Sequence, residues 1–180
     1  GRGFSFQRSE PLDMRMDPES GATAGHLIAT LPERELERIL REYGEERRAR
    51  AVARAIVRAR SEEPITTSSR LADLVRSVVS RSRRPGAKDP ATRTFQALRI
   101  AVNRELENLG SFLAGVPEWI RKGGRLVILS YHSLEDRRVK QAMRAWEKGC
   151  TCPPDFPVCT CGKRPQFRTI RRGGLRPTSR

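Results

Sequence analysis

Gly123-Gly124-Arg125-Leu126-Val127-Ile128-Leu129-Ser130-Tyr131-His132-Ser133-Leu134-Glu135-Asp136-Arg137 joins two patterns end to end. Leu126 to Leu129, after a Gly pair, is a short continuous apolar run of the kind found in a strand buried on both faces of a helix-covered parallel sheet. A helix start follows. Ser133 with Asp136 three residues on fits a capping pair, and Val139, Ala142, Met143 and Trp146 continue at helical spacing. His132, Ser133 and Glu135 therefore fall where a strand ends and a helix begins, which is where an open α/β sheet binds ligands. One strand is not a sheet, and no convincing strand precedes it. Either it pairs with the weak Phe167 to Ile170 segment, or the rest of its sheet lies outside these residues, the reading preferred here.

Composition limits the partners. The 180 residues suffice for one domain or a domain with an appendage. The formal net charge is +15 and the pI about 11.1. That excess selects an anionic partner, nucleic acid before membrane, since no lipid-anchoring pattern is present. With no apolar run of transmembrane length and no signal peptide, the expected location is the cytoplasm, where the four Cys stay out of disulfides. The chain opens Gly1-Arg2-Gly3 without Met, as expected of a fragment.

Upstream lies a helical block. Thr30-Leu31-Pro32-Glu33 reads as a capping box with Pro near the first helical position, followed by a Leu36, Ile39, Leu40, Tyr43 stripe. A second helix, about Glu45 to Arg60, sets Ala49, Val52, Ala53, Ile56 and Ala59 opposite Arg47, Arg50, Arg54 and Arg58. The arginine stripe is either a solvated face or a phosphate-binding one. A third helix follows Pro64 to Ser69, then a basic flexible connection through Pro85-Gly86. A long fourth helix after Pro90 carries Phe95, Leu98, Val102, Leu106 and Leu109, with Gln96, Arg99 and Asn103 on its other face. Gly110, Gly115 and Pro117 end or kink it. Residues 1–30 read as loop, and inside them Pro11-Leu12-Asp13-Met14-Arg15-Met16-Asp17 is either a short edge strand or a loop presenting Asp13, Arg15 and Asp17 together.

Beyond the central run, Cys150-Thr151-Cys152 and Cys159-Thr160-Cys161 stand six residues apart. Four thiolates so placed can surround one tetrahedral Zn²⁺, although zinc pairs usually have wider spacing; the alternative is free or redox-active thiols. Neither common glycine-rich nucleotide-binding turn is present. His26 and His132 are the two histidines, and no Ser-His-Asp order stands out.

Four stretches, taken together and in order, carry a resemblance. They are Gly3-Phe4-Ser5-Phe6 with the Pro11 to Asp17 loop; Tyr43-Gly44-Glu45-Glu46; Asp89 to Ile100 with Asn103 and Glu105; and Ser130 to Arg137. The chain resembles, over nearly its whole length, the bacterial small-subunit ribosomal RNA cytosine-N4 methyltransferase H family. The resemblance implies an α/β fold class: the carboxy-terminal part of a Rossmann-like methyltransferase with an inserted, mostly helical substrate-recognition domain. Residues 1–30 would be a loop region near the active site, 31–110 the RNA-recognizing insertion, 111–148 the return to the sheet, and 149–180 a Cys-rich basic segment.

The resemblance further implies S-adenosylmethionine as cofactor, and 16S rRNA or the small ribosomal subunit, not a membrane, as partner. Its reaction is methylation of a cytidine N4 in the decoding region. Asp13, Arg15 and Asp17 become candidates for shaping the target pocket, and His132, Ser133 and Glu135 for bordering cofactor or target. Arg93, Arg99 and Asn103 are candidates for RNA contact or for holding the Asp13 loop, beside the Arg47, Arg50, Arg54, Arg58 stripe. The main cofactor residues are expected before Gly1, and the chain alone is expected to be inactive. Two other classes stay open: a non-enzymatic basic RNA-binding or ribosome-associated protein, and a small zinc-ribbon module on a helical scaffold.

Overall fold

The computed structural model describes residues 1–79, 88–148, 150, 152–153 and 155–170. Most of the Pro85-Gly86 connection and the tail beyond Ile170 lie outside them. The described elements are α1 (Ala24–Thr30), α2 (Glu33–Glu42), α3 (Ala49–Glu62), α4 (Ser68–Val78), α5 (Ala91–Asn103), α6 (Glu105–Trp119) and α7 (Ser133–Lys148). Among the described residues there is no strand, only one antiparallel bridge between Pro11 and Thr67. The chain divides into two compact units, Gly1–Glu105 and Leu106–Arg180. No helix among the described residues is long and apolar enough to cross a membrane.

In the first unit α2, α3, α4 and α5 pack around one core, with α1 against α3 and α5. Leu36, Leu40, Ile56, Leu71 and Leu98 are fully buried there, so the apolar stripes of the four longer helices meet as their period requires. α1 falls in the stretch expected to be loop. It is seven residues long, and Thr23 caps it by accepting from the His26 amide. Thr30 ends this helix and returns its hydroxyl to the His26 carbonyl at 2.8 Å, so the expected Thr30 capping box does not form and α2 starts after Pro32 without a side-chain cap.

α3 begins later than its apolar spacing suggests. Glu45 sits at φ 49°, and Glu46 is buried, its amide bonded to the Leu40 carbonyl. Its carboxylate accepts from the Arg48 amide at 2.8 Å, a side-chain bond that competes with helical continuation. Gly44 is required just before this turn, because a Cβ there would lie 2.6 Å from the Arg93 carbonyl oxygen. The expected long fourth helix is two. Asn103 folds its side chain back onto the Arg99 carbonyl, and Arg104 turns left-handed at φ 50°. α6 then runs through Gly110, Gly115 and Pro117, positions expected to end or kink the helix, with Gly115 leaving room for the Trp119 ring.

The expected strand does not form among the described residues, in keeping with a sheet whose other strands lie elsewhere, and its alternative partner is excluded. Residues 124–131 adopt no regular secondary structure and their side chains alternate in exposure, with Val127, Leu129 and Tyr131 exposed at 90%, 73% and 84%. A strand exists through its ladder, and no described segment, Phe167 to Ile170 included, supplies one.

Candidate functional site

The Asp13 loop owes its shape to a buried anchor. Met14 is fully buried at φ 59°, a conformation unfavourable for a side chain of this size unless its surroundings fix it. They do so from three directions. The Met14 amide donates to the Arg2 carbonyl. Arg2 Nη1 donates to the carbonyls of Arg15 and Met16 at 2.9 and 3.0 Å. From α5, Asn103 Nδ2 donates to the Met14 carbonyl at 2.8 Å, and Asn103 Oδ1 accepts from the Met16 amide at 2.7 Å. The preceding Leu12 and Asp13 carbonyls accept from Gly25 and Ala24 at the start of α1.

With the backbone so held, Asp13 and Arg15 face one another in a fork. Arg15 Nε reaches Asp13 Oδ1 at 2.7 Å and Nη2 reaches Oδ2 at 3.1 Å, and the Arg15 amide also donates to Oδ1. The pair is about four-fifths buried. The Arg15 side chain holds the Asp13 carboxyl below its ordinary range, against a smaller opposing effect of burial. Asp17 turns elsewhere and accepts from the Glu19 amide. Asp13 lines a cleft of about 420 Å³ whose walls include Leu12, Thr23, Ile28, Arg60 and Ile65.

At the start of α3, Arg47 and the N-cap residue Arg48 ahead of the helix, with Arg50 and Arg54 on it, surround an open hollow of about 440 Å³. Arg54 lies 3.7 Å from Glu33, and Arg58 3.5 Å from Glu62, all strongly solvated. Arg93 is exposed on α5, whereas Arg99 forms a two-bonded pair with Glu105 at 2.8 and 2.9 Å. Of the candidates for holding the loop, Asn103 contacts it directly.

In the second unit, His132 and Glu135 form the cap expected of Ser133 and Asp136. His132 Nδ1 accepts from the Glu135 amide at 3.4 Å, and the Glu135 carboxylate accepts from the Tyr131 and His132 amides at 2.9 and 3.4 Å. The box sits one residue early because α7 begins at Ser133, and a neutral imidazole nitrogen accepts as a hydroxyl does. His132 Nε2 is buried without a hydrogen bond, 3.4 Å from Glu135 Oε1 but outside hydrogen-bond geometry.

The four cysteines form no disulfide, and their sulfurs gather at one point. The Cys152 amide favours the Cys150 thiolate, but the adjoining Cys159, Cys161 and Cys152 thiols push Cys150 up to about 11. Sequence reasoning missed Arg2, Glu10 and Ser68. Glu10 accepts from the Gly3 amide at 2.9 Å, and Ser68 Oγ links the Glu10 amide to the Arg8 carbonyl. Ser68 lies 58 positions from Glu10, beyond any local pattern.

The profile of the MraW methylase family matches residues 1–180. A protein of Desulfosudis oleivorans named ribosomal RNA small subunit methyltransferase H is 54% identical over 180 residues, covering 99% of this chain and 58% of the relative. Proteins of the same name from Pelobacter propionicus and Anaeromyxobacter sp. are 54% and 53% identical, covering 94% and 95% of this chain and 54% and 55% of theirs. The chain thus spans about half the length of the curated relatives it matches.

Proposed function

This chain belongs to the MraW methylase family, and from that membership we propose that it is the RNA-facing part of an S-adenosylmethionine-dependent enzyme that methylates a cytidine N4 of 16S rRNA in the cytoplasm. The supporting observation in the chain itself is the Asp13–Arg15 fork on a rigid loop beside an open cleft.

A cytosine presents an N4 amine donor next to ring acceptors. A carboxylate is the natural acceptor for that amine, and a guanidinium the natural donor to its neighbours. Asp13 Oδ1 takes two of the three hydrogen bonds from Arg15 and Oδ2 one, leaving Oδ2 capacity for a further donor. In this reading Asp13 is ionised, orients the amine and accepts from its N–H, while Arg15 fixes the carboxylate plane. Asn103 and Arg2 are positioning residues. The exposed arginines of α3, with Arg93, supply phosphate contacts, which carry much of the affinity for RNA.

The described residues do not by themselves make a cofactor cradle. Gly123-Gly124 leads into a segment without regular secondary structure rather than a strand, and the Tyr131 and His132 amides before α7 are already taken by Glu135. The described residues therefore support no methyl-transfer step, only the binding and orientation of the target. In the proposed whole enzyme, residues 124–131 become a strand of a Rossmann-like sheet, residues 31–110 form the insertion, and His132, Ser133 and Glu135 stand at the strand end. Calorimetry with S-adenosylmethionine tests this division: the same sequence within a protein of the relatives' length binds, and the 180 residues alone do not. Binding by the 180 residues alone, or by neither, contradicts it.

A further inference from the structure

The cysteine loop lies outside the methyl-transfer reading, and its geometry stands independently of it. Cys150 Sγ is 3.5 Å from Cys159 Sγ and 3.7 Å from Cys161 Sγ, Cys159 Sγ is 3.5 Å from Cys161 Sγ, and Cys152 Sγ is 4.0 Å from Cys159 Sγ. Thiolates at about 2.3 Å from one tetrahedral ion sit about 3.8 Å apart, whereas a disulfide brings two sulfurs to about 2.05 Å. All four sulfurs lie within 4.8 Å of one another, which leaves room for one ion and not for an iron–sulfur cluster.

None of the described apolar residues between the cysteines is buried. Phe156 and Val158 are 54% and 69% exposed, so apolar burial does not account for the convergence of four thiols.

We propose that Cys150, Cys152, Cys159 and Cys161 bind one structural Zn²⁺, whose role is to pin the basic segment after Cys161 against the end of α7. Four protein ligands leave no open position for substrate or water, which makes the site structural rather than catalytic. The segment it would pin is already in register. Gln166 donates its amide to the Trp146 carbonyl at 2.9 Å, Thr169 donates to Glu147 Oε1 at 2.8 Å, and the Phe167 ring lies 5.1 Å from that of Trp146. Lys163 and Arg164 follow the last cysteine closely, with Arg168 beyond them, and their charge would offset the double negative charge of a zinc tetrathiolate.

The test is metal analysis of the purified chain under reducing conditions, with Cys150→Ser and Cys159→Ser variants beside it. The expected result is about one equivalent of zinc, lost in both variants, with unchanged helical circular dichroism. Chelation of the metal is expected to speed amide exchange at Gln166 and Thr169 about tenfold or more while leaving α2 to α5 alone. If the variants fail to fold, Co²⁺ reconstitution of the unaltered chain serves instead: thiolate charge-transfer and tetrahedral d–d absorption support the site, and a weak octahedral spectrum overturns it. Less than about a tenth of an equivalent of zinc on folded chain, iron in its place, retention of zinc by both variants, or unchanged exchange at Gln166 and Thr169 after metal removal also overturns the proposal.

Discussion

Asn103 holds Met14 in place across 89 positions of sequence, its Nδ2 donating to the Met14 carbonyl at 2.8 Å. The same side chain accepts from the Met16 amide, so one α5 residue clamps both sides of Arg15, beside the supports from Arg2 and α1. Asn103→Ala leaves both loop groups without this partner and is expected to lower stability by about 1–3 kcal/mol, read by urea unfolding. Asn103→Asp keeps the acceptor for Met16 and loses the donor to Met14. Met16 amide exchange should therefore accelerate in the Ala variant and much less in the Asp one. Equal exchange in all three proteins would show that this clamp does not hold the loop in solution.

The Asp13–Arg15 fork has a pH signature. The folded Asp13 carboxyl is held below its ordinary value of 3.8, first by the Arg15 side chain. A depressed folded pKa adds stability that is present above the unfolded pKa and lost as pH falls through the folded one. The stability difference between the parent chain and Asp13→Asn is thus expected to be constant near neutrality and to shrink below about pH 4. A difference that grows on acidification would mean that the fork does not form in solution.

Gly44 is set by close approach, not by a positive φ. A Cβ there meets the Arg93 carbonyl at 2.6 Å and the Leu40 carbonyl at 2.8 Å, both backbone and unable to yield as a flexible side chain does. Gly44→Ala should cost about 1–3 kcal/mol through overpacking where α2 meets α5, visible as a lower Tm. A stabilised variant would show that the two helices have room to part.

If the α3 arginines neutralise phosphates, reversing their charge changes how RNA binding responds to salt. Arg50→Glu with Arg54→Glu is expected to flatten the slope of log affinity against log salt by about 0.7–0.9 for each phosphate no longer neutralised. Filter binding to a 16S rRNA fragment across a salt series measures this. An unchanged slope would return the stripe to the role of a solvated face.

The helices were legible because their apolar stripes carry their own period: Leu36, Ile39 and Leu40 on α2, and Val52, Ala53 and Ile56 on α3, are buried as that spacing requires. Helix ends were less so. Thr30 looks like a cap in sequence but ends α1, and Asn103 and Arg104 interrupt an apolar series that continues to Leu109. The apolar run after Gly124 has strand chemistry, yet strand formation depends on a partner that local sequence does not specify, and no described segment pairs with it.

At the site, spacing of two put Asp13, Arg15 and Asp17 together; Asp13 and Arg15 meet, and Asp17 bonds to Glu19 instead. What holds them does not follow from that spacing. Met14 is turned by a positive φ, and its supports, Arg2 and Asn103, come from distant positions chosen by packing. The His132–Glu135 cap was missed by one residue because the local pattern favours hydroxyl over imidazole caps. The cysteine spacing pointed to one cluster, and the four thiols do converge.

Whether Asp13 orients a cytidine amine for methylation is read most directly by nucleoside analysis of small ribosomal subunits. The subunits are incubated with labelled S-adenosylmethionine and this sequence in a protein of the relatives' length, alongside Asp13→Ala. Label is expected in N4-methylated cytidine of 16S rRNA with the parent protein, with a loss of at least about a hundredfold in the variant. Label on another base, none at all, or an Asp13→Ala variant as active as the parent would contradict this assignment.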